Sequence, residues 1–166
     1  MVSCARSMNI FRKEKIPMTG EMMGQAYCRA TYTDCNLRHD IWKFCGGGVF
    51  ADELANLVLA GVKTATASAK IAYETENEAL PEVGTYSVIL FDNEEAACII
   101  RHTKVSIVPF HLVSAEHAYK EGEDDRSLNK WREVHRRCFA PDYQAAGLDF
   151  DKIGDCVPEE FEVVHP

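Results

Sequence analysis

The sequence is short of several things that would place it quickly. It has no apolar run long enough to span a bilayer, and its first twenty residues lack the apolar stretch of a secretory signal. A cytoplasmic, membrane-free protein is the expectation. The seven cysteines include no Cys-x-x-Cys pair and the six histidines no His-Glu-x-x-His, so neither a disulfide scaffold nor a zinc site is expected. No metal or cofactor is called for. Positive charge is also scarce, with 18 Lys and Arg against 26 Asp and Glu and a net charge of -8. Phosphate neutralisation supplies most of the free energy of gripping a long duplex. The deficit therefore argues against duplex DNA and for a small ligand or a short single-stranded contact.

What is present suits one domain: 166 residues, 46% of them hydrophobic and 10% aromatic. Residues 1–18 mix charges and small residues without periodicity and read as an N-terminal tail, with a single domain over 19–166. Weak helical spacing runs from Thr19, a candidate N-cap, to Phe44, with Met22, Met23, Tyr27 and Ala30 as its apolar stripe. Phe50, Leu54, Leu57 and Val58 then mark a clear helix after Gly46-Gly47-Gly48, and Gly61 is placed to end it. The triple glycine lacks the Walker and dinucleotide spacings and reads as a loop rather than a phosphate cradle.

Beyond Gly61, a strand entry is expected over 62–68, a strand over Thr85–Phe91, a polar turn at Asp92–Glu95, and a return run through Val108. Two helices follow. Ser114 caps one that stops at Gly122, and Ser127 caps another whose Leu128, Trp131, Val134, His135 and Cys138 share a face before Phe139 and Pro141 end it. Residues 161–164 suit a closing strand. Hairpins around a helical pair, rather than regular βαβ alternation, predict an α+β fold built on a small, mostly antiparallel sheet or barrel.

One stretch carries more than shape: Ala51-Asp52-Glu53-Leu54 through Gly61-Val62-Lys63-Thr64-Ala65-Thr66-Ala67-Ser68, a helix that delivers a lysine and hydroxyls beyond its cap. With Leu80–Gly84, Pro109-Phe110, Glu121–Asp124, Ser127-Leu128, Trp131-Arg132 and His135, it resembles the ASCH family over about residues 41–166. The resemblance implies a PUA-like barrel with a cleft for RNA or a nucleoside. In some members it implies a hydrolase of N4-acylated cytidine that uses a Lys-x-x-Thr pair and a later glutamate. Lys63, Thr66 and Glu121 match that set and are the catalytic candidates, with Thr64, Ser68 and Arg132 as candidates for substrate binding.

The chemistry asks for specific conditions. A lysine is a base only if desolvation or a nearby cation lowers its pKa. Thr66 needs such a base to become a nucleophile, and Glu121 would donate a proton or orient the ammonium. Residues three apart on a regular strand face opposite ways, so Lys63 and Thr66 converge only if Gly61–Thr64 is a turn or bulge. The competing readings are a ribonuclease or non-catalytic RNA binder, with Arg132 and Arg136 on phosphates, and an interaction module, including a homodimer through the N-terminal segment. The expected partners are a modified nucleoside or short single-stranded RNA.

Overall fold

The computed structural model describes residues 17–31 and 39–166. The tail reading falls outside these residues except at Pro17 and Met18, and Met18 is already fastened, its carbonyl accepting from the Ala96 amide at 2.7 Å. Helix α1 spans Gly20–Thr31, with the Thr19 hydroxyl accepting from the Met22 amide as its sequence predicts. The helical reading through Phe44 fails at its far end, and residues 32–38 lie outside the described residues. His39–Trp42 is a strand, β1, paired parallel to β3 (Tyr86–Leu90). Four residues carry too little periodicity to announce a strand, and a parallel partner far along the chain supplies the pairing.

Helix α2 covers Val49–Leu59. Its buried face is Ala51, Leu54, Ala55 and Val58, whereas Phe50 is 66% exposed. Two alanines take the stripe because they let the helix lie close to the sheet. The triple glycine serves a close approach: the Gly48 amide donates to Asp92 Oδ1 at 2.6 Å, and a Cβ on Gly47 would lie 2.9 Å from the same atom.

The strands β2 (Ala65–Ala69), β3, β4 (Ala96–Val105) and β6 (Asp155–His165) complete a sheet of order β1-β3-β4-β6-β2, with the short β5 (Val108–Pro109) also on β6. Every pairing but β1 with β3 is antiparallel. The sheet is open rather than a closed barrel, with β1 and β2 at its edges. The α+β class is as expected. β6 is eleven residues and central, far longer than residues 161–164 suggest, and helix α3 (Lys70–Glu76) has no counterpart in the sequence reading.

Helices α4 (Ala115–Glu121) and α5 (Leu128–Ala145) start at Ser114 and Ser127, whose hydroxyls accept from the amides of His117 and Lys130, both at 3.1 Å. α5 runs through Pro141 instead of ending there. Phe139 and Tyr143, buried with Trp131, Phe110 and Phe150 on either side of the proline, hold the helix together against the lost hydrogen bond. Cys138, expected on the buried face, is exposed, and Phe139 takes that place. Three clusters form the core: one under α2 on one face of the sheet, one under α1 around Val88 and Ile99, and one among α3–α5 and the short helix α6 (Phe150–Ile153). Among the described residues no helix is long and apolar enough to cross a membrane.

Candidate functional site

The end of α2 decides where Lys63 goes. Gly61 is left-handed at φ 68, its amide donates to the Val58 carbonyl, and the Val62 amide reaches back to Leu57, also at 2.9 Å. This is the paired bonding of a Schellman cap, and it turns the chain out of the helix before β2 begins at Ala65. The turn that Lys63 and Thr66 would need is therefore present. α4 ends against it: Gly122 is left-handed at φ 74, and a Cβ there would lie 2.5 Å from the Val62 carbonyl oxygen. The Thr64 amide donates to the Lys120 carbonyl at 2.8 Å, and the Thr64 hydroxyl to the same atom at 3.4 Å. Two helix ends thus abut, which brings together residues 58 positions apart.

Lys63 Nζ lies 3.1 Å from Glu121 Oε2 and 2.5 Å from Glu123 Oε1, with Lys63 and Glu121 each only 1% exposed. Glu121 is saturated: Oε1 accepts from the Trp131 indole at 2.6 Å and faces His117 Nε2 at 3.1 Å, while His135 Nε2 is 3.5 Å from Oε2. Burial alone would pull the lysine down, but the two carboxylates outweigh it and hold the ammonium above its ordinary value. Burial would likewise raise Glu121, and Lys63 with the two histidines pushes it well below the ordinary carboxylate range. Both groups are charged at neutral pH. Lys63 here is a fixed cation, the opposite of the lowered amine that a base requires.

A cleft of about 440 Å³ opens on the other side of Phe44, whose ring centroid is 5.2 Å from Lys63 Nζ and which lines the cleft along with Trp42 and Tyr73. Thr66 and Ser68 line it too, and Ser68 Oγ accepts from the Tyr73 hydroxyl at 3.2 Å. Burial, with Glu159 nearby, pushes that phenol up to about 12. Lys63, Thr64, Glu121 and Arg132 are not part of the cleft wall. Lys63 and Glu121 meet each other, Thr66 and Ser68 share the cleft, and Phe44 stands between the two groups. Arg132 lies elsewhere on α5 and donates to the His111 carbonyl at 2.9 Å.

Register lays a row of polar side chains across the cleft floor. Asp40 pairs with Ser87 across β1 and β3, and Thr66 pairs with Glu159 across β2 and β6. His102 stands two residues along β4 from Ile100, the partner of Ser87, and so faces the same way. Ser87, His102 and Glu159 are buried at 2%, 3% and 4% exposure, and all five residues line the cleft. The sequence reading missed four of them. The available signal was polar residues at inward positions of apolar strands, Ser87 beside Ile89 and His102 beside Ile100, and only the cross-strand register assembles them. Among the described residues no group of three or more His, Cys, Asp or Glu is arranged to hold a metal ion.

Comparison with known proteins agrees with this architecture. The structure is similar to the crystal structure of an ASCH domain from Lactobacillus crispatus JV V101, with TM-score 0.80 and 28% identity over 94% of this chain and 99% of that one. It is also similar to a protein of Enterococcus faecalis V583, with TM-score 0.78 and 35% identity over 88% of each chain. No curated protein matches it. The fold is the PUA-like one of those ASCH structures. The family model described as the ASCH domain matches residues 40–165, and the chain belongs to the ASCH domain family.

Proposed function

We propose that the cleft binds an uncharged ligand of nucleoside size and that the protein is a metal-independent amidohydrolase of N4-acylated cytidine or a related small amide. The observation that carries this reading is the charge of the cleft. Its wall holds Asp40, Glu78 and Glu159 against one cation, Lys43, whose ammonium is engaged by Glu94 and by the Asp92 carbonyl. Such a wall repels phosphate and suits a neutral base and sugar. Its volume falls within the roughly 300–1,000 Å³ usual for small-ligand pockets, and Trp42, Phe44 and Tyr73 offer faces for a ring.

Within the Lys63, Thr66 and Glu121 set of the family pattern, Thr66 is the hydroxyl that would attack the acyl carbon. In this reading the Lys63–Glu121 pair acts as a rigid, charged support for the turn that leads into β2, the strand that carries Thr66. The alternative, a ribonuclease or RNA binder using the same cleft, is less well supported, because the basic residues proposed for phosphate contacts are already engaged. Arg136 pairs with Asp151, and Arg132 donates to the His111 carbonyl.

The test is incubation of the protein with N4-acetylcytidine and with its 5′-phosphate, following release of acetate. The nucleoside is expected to be cleaved at least tenfold faster than the phosphate. No cleavage of either, together with a salt-dependent shift of labelled single-stranded RNA, would replace this reading with the RNA-binding one.

A further inference from the structure

Within the cleft, one hydroxyl has a base beside it, and it is not Thr66. Ser87 Oγ lies 3.0 Å from His102 Nε2, and His102 Nδ1 lies 3.0 Å from Glu159 Oε2. The carboxylate is close enough to act on the ring electrostatically, yet it sits off the line of the Nδ1–H, so Nδ1 has no hydrogen bond of good geometry. With the ring proton on Nδ1, the nitrogen beside the carboxylate, Nε2 keeps its lone pair for the serine hydroxyl. That tautomer is assigned from the surroundings.

Burying a hydroxyl, an imidazole and a carboxylate on inward positions of β3, β4 and β6 is costly where apolar side chains would serve the core. Contrast the Lys63–Glu121 cluster, in which the ammonium and the buried carboxylate are both fully hydrogen-bonded. Here a buried ring nitrogen is left unsatisfied at the edge of an open cleft.

We propose that Ser87, His102 and Glu159 form an acyl-transfer set, with Ser87 as nucleophile, His102 as base and Glu159 as positioning residue, acting on small uncharged amides or esters that fit the cleft. The inference rests on the same cleft as the proposed function and moves the acyl-carrying oxygen from Thr66 to Ser87. Ser87 Oγ bonds to the acyl carbon as its proton passes to His102 Nε2. The C–N or C–O bond to the leaving group then breaks, and that group departs with the proton from His102. Water attacks the acyl-serine, giving its proton to His102. Collapse frees the carboxylic acid, and Ser87 regains its proton.

The test is to mix the protein with p-nitrophenyl acetate or N4-acetylcytidine, quench in acid, digest with trypsin and locate the acetyl group by fragmentation. Cleavage after Lys63, Lys70 and Arg101 puts Thr66 on peptide 64–70 and Ser87 on peptide 71–101. The expected result is an acetyl group on Ser87, absent in Ser87→Ala. His102→Gln should lower kcat by roughly 10²–10⁴-fold. Glu159→Gln should lower kcat with KM unchanged, which a merely structural role would not do. Ester acylation of Ser87 without turnover of N4-acetylcytidine upholds the set and removes the nucleoside reading. Turnover of N4-acetylcytidine that survives Ser87→Ala, or acetyl found only on peptide 64–70, overturns the set and leaves the nucleoside reading standing. No acyl-enzyme and no ester hydrolysis overturns the set.

Discussion

Two buried polar clusters lie on either side of Phe44, and they differ in how completely they are satisfied. Around Lys63 and Glu121 nearly every polar atom has a partner: two carboxylates for the ammonium, and for Glu121 an indole, two imidazoles and the ammonium itself. Around His102 one ring nitrogen lacks a proper bond, and the group opens on a cleft. Full matching makes a rigid joint between helix ends. Incomplete matching leaves capacity for a ligand or a moving proton.

That contrast can be broken most forcefully at Lys63. Lys63→Met leaves the Glu121 carboxylate buried without its cation and is expected to cost about 3–5 kcal/mol, measured by urea unfolding. The pH dependence of the same measurement sharpens the point. Glu121 is lowered on folding, so its contribution is present above the unfolded carboxyl value, near pH 4.3 in model peptides, and fades as acid takes the pH down through the lower folded value. Lys63 is raised, so its share is fully present below about pH 10.4 and is lost only as the pH rises through the folded value. Glu121→Gln should flatten the acid limb, and an unchanged limb would remove the charge pair from the account.

A smaller loss, about 1–3 kcal/mol, is expected for Gly122→Ala, which combines a left-handed backbone with a Cβ 2.5 Å from the Val62 oxygen. Calorimetry reads it as a lower Tm. Trp131→Phe keeps the stacking against Phe110 and His135 but deletes the donor to Glu121, for a loss of about 1.5–3 kcal/mol at most. At the bottom of the series, Arg137→Ala removes an exposed pair with Glu133 and should leave the urea midpoint unmoved. A measurable drop there would mean that exposed and buried pairs are not so different in this protein.

Local signals made one of the two clusters legible. Gly61 after the α2 stripe, Ser114 with Gly122, and Ser127 all mark helix ends, and helix ends are what carry Lys63 and Glu121 to each other. The other cluster depends on register between strands far apart in sequence. Nothing local in His39–Trp42 announces a strand, and Pro158 within β6 disguises a central strand as a turn. Ser87, His102 and Glu159 therefore stayed invisible until β3, β4 and β6 were aligned. The charge state of the amine is hidden for a related reason: Lys63 follows a legible helix cap, but its ammonium is held by Glu121 and Glu123, which come from a different helix and loop.

Phe44 makes its edge-on contact with Trp42 at 4.9 Å while its face covers the ammonium. A single benzene ring is thus an electrical insulator between two compartments, one locked as a salt and one open to whatever enters the cleft. Shaving that ring to a methyl would join the compartments and let water reach the salt.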